Sequence, residues 1–270
     1  MLSIQFNTTY DLYMITEKGQ KFLLKDIFAA FVQTPFAEGT FRECFIGVIL
    51  DKNKKLLKTA DFPLGKCIVK KYKKNCKIIE NIKDLVSSFV ADHYATQFNN
   101  LIKIPNKINF VKPYLTFDKV TKQFVYVEPY LEGKYTKFSS NTGYENPDYN
   151  AFIPAFSHLS WVVSKGQYVV LDVQGTYNNN KYYLTDPAIQ SVEMKFGDSD
   201  LGAMGIMRFL LFHKHNDICQ NWTWIPSQVS GVLRQYNASS IARTSFRFEV
   251  GKGIVKYTPI YLALLKYIFK

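Results

Sequence analysis

Two periods of apolar residues organise this chain. Cys44 to Leu50 and Leu64 to Tyr72 are β-rich runs, and Phe124 to Tyr130 sets Val125 and Val127 against Tyr126 and Glu128, so three strands are predicted. Between the second and third, Ile82, Leu85, Val86, Phe89, Val90 and Tyr94 recur at helical spacing. Asn81 caps that predicted helix with Asp84 at its third position, and its apolar face packs on a sheet. Pro105 to Pro113 and Ser139 to Tyr149 carry the Pro, Gly, Asn and Ser of turns. Leu159 to Val163 and Tyr168 to Val173 then read as a hairpin around Ser164-Lys165-Gly166-Gln167, and Leu201 to Phe212 as a last helix. No internal repeat or heptad is present, which excludes solenoids and coiled coils.

A chain of 270 residues with 47% hydrophobic positions buries a sizeable core, as one two-lobed domain or two small ones. The net charge of +12 and the run Lys66-Cys67-Ile68-Val69-Lys70-Lys71-Tyr72-Lys73-Lys74 raise a nucleic-acid reading. Lysine is spread along the whole chain and arginine, the usual base reader, is scarce, so nucleotide phosphates or acidic partners account for the charge better. Cys44, Cys67, Cys76 and Cys219 lack the spacing of a secreted framework and no leader opens the sequence, so a reducing cytoplasm is the expected location. No apolar stretch reaches the roughly twenty residues of a membrane span. Tyr257 to Phe269 contains Pro259 and Lys266 and reads as core or interface.

Chemistry concentrates in the second half. His213, His215 and Cys219 fall within seven residues, and imidazole and thiolate are the ligands of structural zinc. His158, one of only four histidines, is the best source of a fourth ligand and predicts a closed site; the bland alternative is a polar helix end. Asp172 and Gln174 in Leu171-Asp172-Val173-Gln174-Gly175, with Asp186 in Leu184-Thr185-Asp186-Pro187, offer the oxygen ligands that suit magnesium and phosphate, although either acid alone reads as a turn or a strand-end cap.

These motifs, in this order, resemble the α-kinases, the atypical protein kinases that include the myosin heavy chain kinases, the elongation factor kinase and the kinase domains of melastatin-type channels. Four further stretches agree: Pro35-Phe36-Ala37-Glu38-Gly39-Thr40-Phe41-Arg42-Glu43-Cys44-Phe45, Ile68-Val69-Lys70-Lys71-Tyr72, Val127-Glu128-Pro129-Tyr130-Leu131-Glu132-Gly133-Lys134-Tyr135 and Asn141-Thr142-Gly143. The first and third are closest in wording to the elongation factor kinase, and the resemblance covers about residues 10 to 225.

The resemblance implies an α+β, two-lobed kinase fold with ATP in the inter-lobe cleft. It implies an α-kinase domain over residues 1–225, with the N-terminal lobe at about 10–130 and a zinc-containing C-terminal lobe at 131–225; residues 226–270 are an extension of unassigned role. The implied activity is transfer of the ATP γ-phosphate to Ser/Thr hydroxyls of a protein substrate, the chain itself included; the alternative is a pseudokinase that binds nucleotide as a scaffold. Lys70 would pair with ATP phosphates, Arg42 would bind phosphate beside Gly39, and the backbone of Glu128 and Leu131 would hold adenine, with side-chain identity at that hinge of little account. Asp172 would align the substrate hydroxyl, and Gln174 and Asp186 would hold Mg2+. Gly197, Gly202 and Gly205 would serve the peptide substrate, and His158, His213, His215 and Cys219 would bind structural Zn2+. The family's pattern has cysteine where His215 stands, and the stretch between Asp172 and Asp186 is longer here, with Asn178-Asn179-Asn180 at its tip. The acidic partner of Lys70 stays open among Glu80, Asp84 and Asp92.

Overall fold

A computed structural model describes residues 9–15, 21–73, 78–118, 123–149, 151–222 and 232. In chain order, the first elements are β1 (Thr9–Ile15), β2 (Lys21–Phe31), β3 (Ala37–Glu38), β4 (Arg42–Asp51), β5 (Lys66–Tyr72) and α1 (Ile78–Leu101). There follow β6 (Lys107–Phe110), β7 (Tyr114–Asp118), β8 (Gln123–Pro129), β9 (Thr136–Lys137) and α2 (Phe152–Val163). The last are β10 (Tyr168–Leu171), β11 (Gln174–Asn178), β12 (Lys181–Thr185), β13 (Ala188–Ser191) and α3 (Ala203–Phe212). Among the described residues, contacts divide the chain into a first unit, up to Leu85 with Val111–Tyr130, and a second, Val86–Phe110 with those from Leu131 to Trp222 and Val232. The stretch 86–110, grouped by sequence with the N-terminal lobe, thus packs with the second unit, because α1 runs on through it.

In the first unit the strands follow the order β2-β1-β7-β8-β5-β4-β3, all antiparallel, and β2 also pairs with β4, so six strands close on themselves with β3 as an added edge. Period-two alternation then assigns each residue a face. Phe45, Cys67, Val69, Val125 and Val127 point inward with Leu12, Ala29, Phe31 and Ile49 to form the core. The cross-strand pairs Arg42↔Tyr72, Cys44↔Lys70 and Lys70↔Tyr126 fall on the opposite face. Lys71, one residue out of phase with Lys70, points inward at the barrel end, where its ammonium lies 4.5 Å from the centre of the Phe31 ring and 4.0 Å from Asp118.

The second unit holds a four-stranded sheet ordered β6-β12-β11-β9, with β6 and β12 parallel, and the two-stranded β10-β13 ladder. The expected Asn-rich tip is a two-residue hairpin turn: Asn179 and Asn180 both have positive φ, 48° and 60°, the conformation of a type I′ turn that asparagine tolerates.

Three segments differ from the sequence expectation: β6 forms within Pro105 to Pro113, which reads as a turn-rich connection, and two helices start or run differently. Phe152–Val163 is one helix, so Leu159 to Val163 is its last turn and not a strand, and His158 sits on a helix. Ten of its twelve residues, Phe152 through Trp161, are buried. A helix buried all round shows no amphipathic stripe, and the β-branched end mimicked a strand. α1 begins at Ile78, which places Asn81 inside the helix instead of at its cap. Cys76, Lys74 and the extension 226–270, apart from Val232, lie outside the described residues.

Candidate active site and metal centre

In the first unit, alternation brings the candidate phosphate ligands to one face. Lys70 is only 4% exposed, and its Nζ donates to Glu128 Oε2 at 2.6 Å. The register explains the pair: Lys70 stands opposite Tyr126 and Ile68 opposite Glu128, so Lys70 and Glu128 are diagonal neighbours on adjacent strands. This corrects the sequence reading, since Glu128, which is not among the acids considered there, engages Lys70 through its side chain. Asp84 instead accepts a hydrogen bond from the Tyr72 hydroxyl and lies 3.8 Å from Arg42 Nη1. The Arg42 guanidinium is 5.7 Å from the centre of the Tyr72 ring and 5.8 Å from that of Tyr126, within cation–π range of both. Burial, then the Asp84 charge, pushes the Tyr72 phenol far up, so it stays a donor. Gly39 closes the β3–β4 hairpin through its N–H to the Arg42 carbonyl at 2.8 Å, in the exposed turn before Arg42. Leu131, half-buried, follows β8 in the second unit.

In the second unit the acids sit where two ladders break. Leu171 pairs with Ala188 in β10–β13 and Gln174 pairs with Thr185 in β11–β12, which leaves Asp172-Val173 facing Asp186-Pro187 between them. Both acids are left-handed, with φ of 55° and 51°. Val173 is clamped: its N–H donates to Ser139 Oγ at 3.1 Å and its carbonyl accepts from the N–H groups of Phe138 and Ser139. Gly175 follows at φ 151°, and a Cβ there would lie 2.0 Å from the Tyr183 carbonyl oxygen, so only glycine lets the two strands approach. Lys137, opposite Gln174 on β9, reaches Asp172 Oδ1 at 2.7 Å as an ion pair without hydrogen-bond alignment. With its lysine 48% exposed, this pair orients the carboxylate and adds well under about 1 kcal/mol of stability.

The glycine-rich run is held from beneath. Asp200, 1% exposed, accepts from the N–H groups of Ser191 and Gly202 at 2.9 Å each, from the Ser191 hydroxyl at 2.6 Å and from the Phe196 N–H at 3.2 Å. Gln190 Oε1 accepts from the Leu201 N–H at 2.6 Å, and a Cβ on Gly205 would stand 2.2 Å from that oxygen. Gly205 is therefore a packing glycine, while Gly197 and Gly202 have positive φ, 85° and 66°. Asn141 Nδ2 donates to the Ser199 carbonyl at 3.3 Å, tying Asn141-Thr142-Gly143 to the same run.

One ligand atom from each of His158, His213, His215 and Cys219 lies within 4.8 Å of the others. Zinc bonds of 2.0–2.3 Å in a tetrahedron need ligand atoms about 3.3–3.8 Å apart, and Cys219 Sγ is 3.5 Å from His213 Nε2. The surroundings orient each donor. His215 Nδ1 lies 3.0 Å from the Cys219 carbonyl oxygen, which only accepts, so the proton is on Nδ1 and Nε2 keeps its lone pair. The Asn216 N–H points at Cys219 Sγ at 3.5 Å, and Glu145 Oε1 stands 3.9 Å from His213 Nδ1. Burial, then the neighbouring His213 and His215, lowers His158 to about 3, which keeps its imidazole neutral as a ligand must be. The donor set fits zinc.

Side chains that sequence reasoning missed are Lys137, Ser139, Gln190 and Asp200, together with the Glu128 carboxylate. Glu128 stands in a quoted stretch, but the motif gave its carboxylate no role, and Lys137, Ser139, Gln190 and Asp200 owe their roles to contacts that residue type alone does not reveal.

The chain matches the Alpha-kinase family over residues 37–219, and it belongs to that family. Among relatives, Alpha-protein kinase 1 of Dictyostelium discoideum is 37% identical over 191 residues, 69% of this chain and 13% of that protein. Eukaryotic elongation factor 2 kinase of Rattus norvegicus is 28% identical over 218 residues, 78% of this chain and 29% of that protein. The chain thus spans less than a third of the length of either relative. The solved structure of an alpha kinase from Entamoeba histolytica is similar with a TM-score of 0.67 at 25% identity, covering 80% of this chain and 91% of that one. The α-kinase domain of myosin heavy chain kinase A, in complex with AMP, gives a TM-score of 0.65 at 26% identity, covering 78% and 96%. No helix among the described residues is long and apolar enough to cross a membrane.

Proposed function

We propose that the chain is a protein serine/threonine kinase domain spanning residues 1–225 that transfers the γ-phosphate of ATP to hydroxyls of a protein substrate, itself included, in the cytoplasm. The observation that carries this is the pair of left-handed acids, Asp172 and Asp186, held at the break between two ladders with Gln174 one step along. Family membership and the nucleotide complexes of the myosin heavy chain kinase A domain support nucleotide as co-substrate.

In this reading Lys70, fixed by Glu128, and Arg42, stacked on two tyrosines, neutralise the ATP phosphates, while the backbone at Glu128 and Leu131 holds adenine. Gln174 and Asp186 hold Mg2+, which supplies charge neutralisation on the transferring phosphoryl group. Asp172 accepts a hydrogen bond from the attacking hydroxyl and takes its proton, with Lys137 fixing the rotamer of that carboxylate. The run from Gly197 to Gly205 presents backbone to the peptide. Zinc on His158, His213, His215 and Cys219 joins α2 to the end of α3 and stabilises the second lobe. With every acid and the lysine present, the set favours catalysis over a pseudokinase.

The test is radiolabelled ATP transfer to the protein itself and to a general basic protein substrate, wild type beside Asp172→Asn, with magnesium present and zinc quantified. Transfer abolished in the variant is the expected result. A zinc-loaded wild type that binds ATP but transfers nothing would sink the kinase assignment in favour of a nucleotide-binding scaffold.

A further inference from the structure

The connection between β4 and β5 is a braced, basic projection. Asp51 organises its tip: Oδ1 accepts from the N–H groups of Asn53 at 2.9 Å and Lys55 at 2.8 Å, and the Asp51 carbonyl accepts from that of Lys54 at 2.9 Å. The Leu57 N–H donates to the Ile49 carbonyl at 2.8 Å, and the Leu57 side chain packs on the barrel core that holds Phe62. With Leu57 turned inward, its neighbours Leu56 and Lys58 are turned out; Leu56 is 55% exposed and lies against the backbone of Gly65.

Lysines surround that leucine. Lys52, Lys54, Lys55 and Lys58 are exposed, and among the described residues none of them forms an ion pair. Lys66, the first residue of β5, is exposed as well, with its ammonium 5.6 Å from the centre of the Tyr130 ring. Residues 51–66 thus carry five lysines against two acids, a net charge of +3. Asp51 is turned to backbone N–H groups, and Asp61 Oδ2 accepts from the Tyr114 hydroxyl at 2.6 Å. On β2, Lys25 and Asp26 precede Ile27, the partner of Asp51, and cancel one another.

We infer that this loop docks the protein on an anionic lipid bilayer, with Leu56 entering the headgroup layer and the lysines at the phosphates. Ammonium groups on flexible stems are hydrated point charges that suit a diffuse negative potential, whereas bidentate recognition of phosphopeptides or bases calls for arginine, and residues 51–66 contain none. Their one aromatic, Phe62, is 1% exposed, which leaves no ring for a base to stack on. Lysine is also depleted from protein–protein interfaces, so a lysine cluster around one exposed leucine fits a lipid surface better than a protein one.

The experiment is co-sedimentation of the full chain with vesicles of phosphatidylcholine alone or mixed with phosphatidylserine, at about 0.1 M and about 1 M salt. The wild type is expected to bind only the mixed vesicles and to be released by the higher salt. Each lysine near such a surface is worth about five-fold in binding, so Lys54→Gln, Lys55→Gln and Lys58→Gln together should weaken it by about a hundred-fold. The same charge removed at three exposed lysines outside the loop, Lys103→Gln, Lys165→Gln and Lys181→Gln, should leave binding within about five-fold of the wild type. Both triple variants should keep the wild-type Tm. In Leu56→Trp, mixed vesicles should shift the emission to the blue relative to the wild type with its three tryptophans. No binding to mixed vesicles, an equal loss in the two triple variants, or binding without the blue shift overturns the docking loop. Loop-dependent capture of RNA or polyglutamate without vesicle binding overturns the bilayer as partner.

Discussion

Asp172 and Asp186 lie in the two facing two-residue segments, Asp172-Val173 and Asp186-Pro187, that join the β10–β13 ladder to the β11–β12 ladder, and both adopt the left-handed conformation, φ 55° and 51°. Aspartate tolerates that region and asparagine favours it, so the charge can be removed from either position without disturbing the backbone. Asp172→Asn should retain the Tm and MgATP affinity of the wild type while transfer falls by about 10²–10⁴-fold. Asp186→Asn should instead lose Mg2+-dependent nucleotide binding. Calorimetry with and without magnesium separates the two; identical behaviour of both variants would contradict the division of roles.

Gly175 is where the same acids are most vulnerable to a structural change. A Cβ there would stand 2.0 Å from the Tyr183 carbonyl oxygen, at a φ of 151° that L side chains rarely adopt. Gly175→Ala must push β12 away and pull Asp186 from Gln174. It should cost at least about 2–3 kcal/mol in denaturant unfolding and abolish transfer, whereas Gly39→Ala, with 3.9 Å to the nearest atom, should leave stability unchanged.

The buried pair Lys70–Glu128 makes an opposite prediction about stability and activity. Removing one partner leaves the other buried charge without this compensation, which costs about 3–5 kcal/mol, whereas replacing both with apolar residues of similar size is close to neutral. Lys70→Met should therefore unfold at a lower denaturant concentration, and Lys70→Met with Glu128→Leu should recover most of that loss while remaining inactive. A double variant as unstable as the single one would show that the pair matters to stability beyond charge compensation.

How far this was legible depended on sequence distance. Lys70, Arg42, Asp172, Gln174, Asp186 and the zinc quartet stand in short motifs, so residue type and order pointed to them. The strands β4, β5 and β8 were readable because one face is filled by Val and Ile. The Glu128 partner was not, because it depends on the register between β5 and β8, which alternation alone leaves open by two-residue steps. α2 was missed since burial on all sides erased its period, and that error also put His158 at the start of a strand. The supports of the acid loop, Ser139 and Lys137, lie about 35 positions upstream of Asp172 (172 minus 137) in a turn-rich segment whose composition says only that it is irregular.

The metal quartet offers a test that needs no substrate. His158 comes from the middle of α2, His213 from the end of α3, and His215 and Cys219 from the turn after it, so one ion held there would close a loop of more than fifty residues and its binding energy would be folding energy. A strong chelator should lower Tm by on the order of 10 °C and zinc should restore it. Cys219→Ala should copy the chelated protein and lose the response to zinc. His215→Cys should keep the metal, because a thiolate is the other ligand type for such a site, although the bond from His215 Nδ1 to the Cys219 carbonyl is lost. Metal analysis of the purified variants, with Tm measured in parallel, checks all three; a Tm indifferent to chelator and to Cys219→Ala, with no zinc bound to the wild type, would rule the structural metal out.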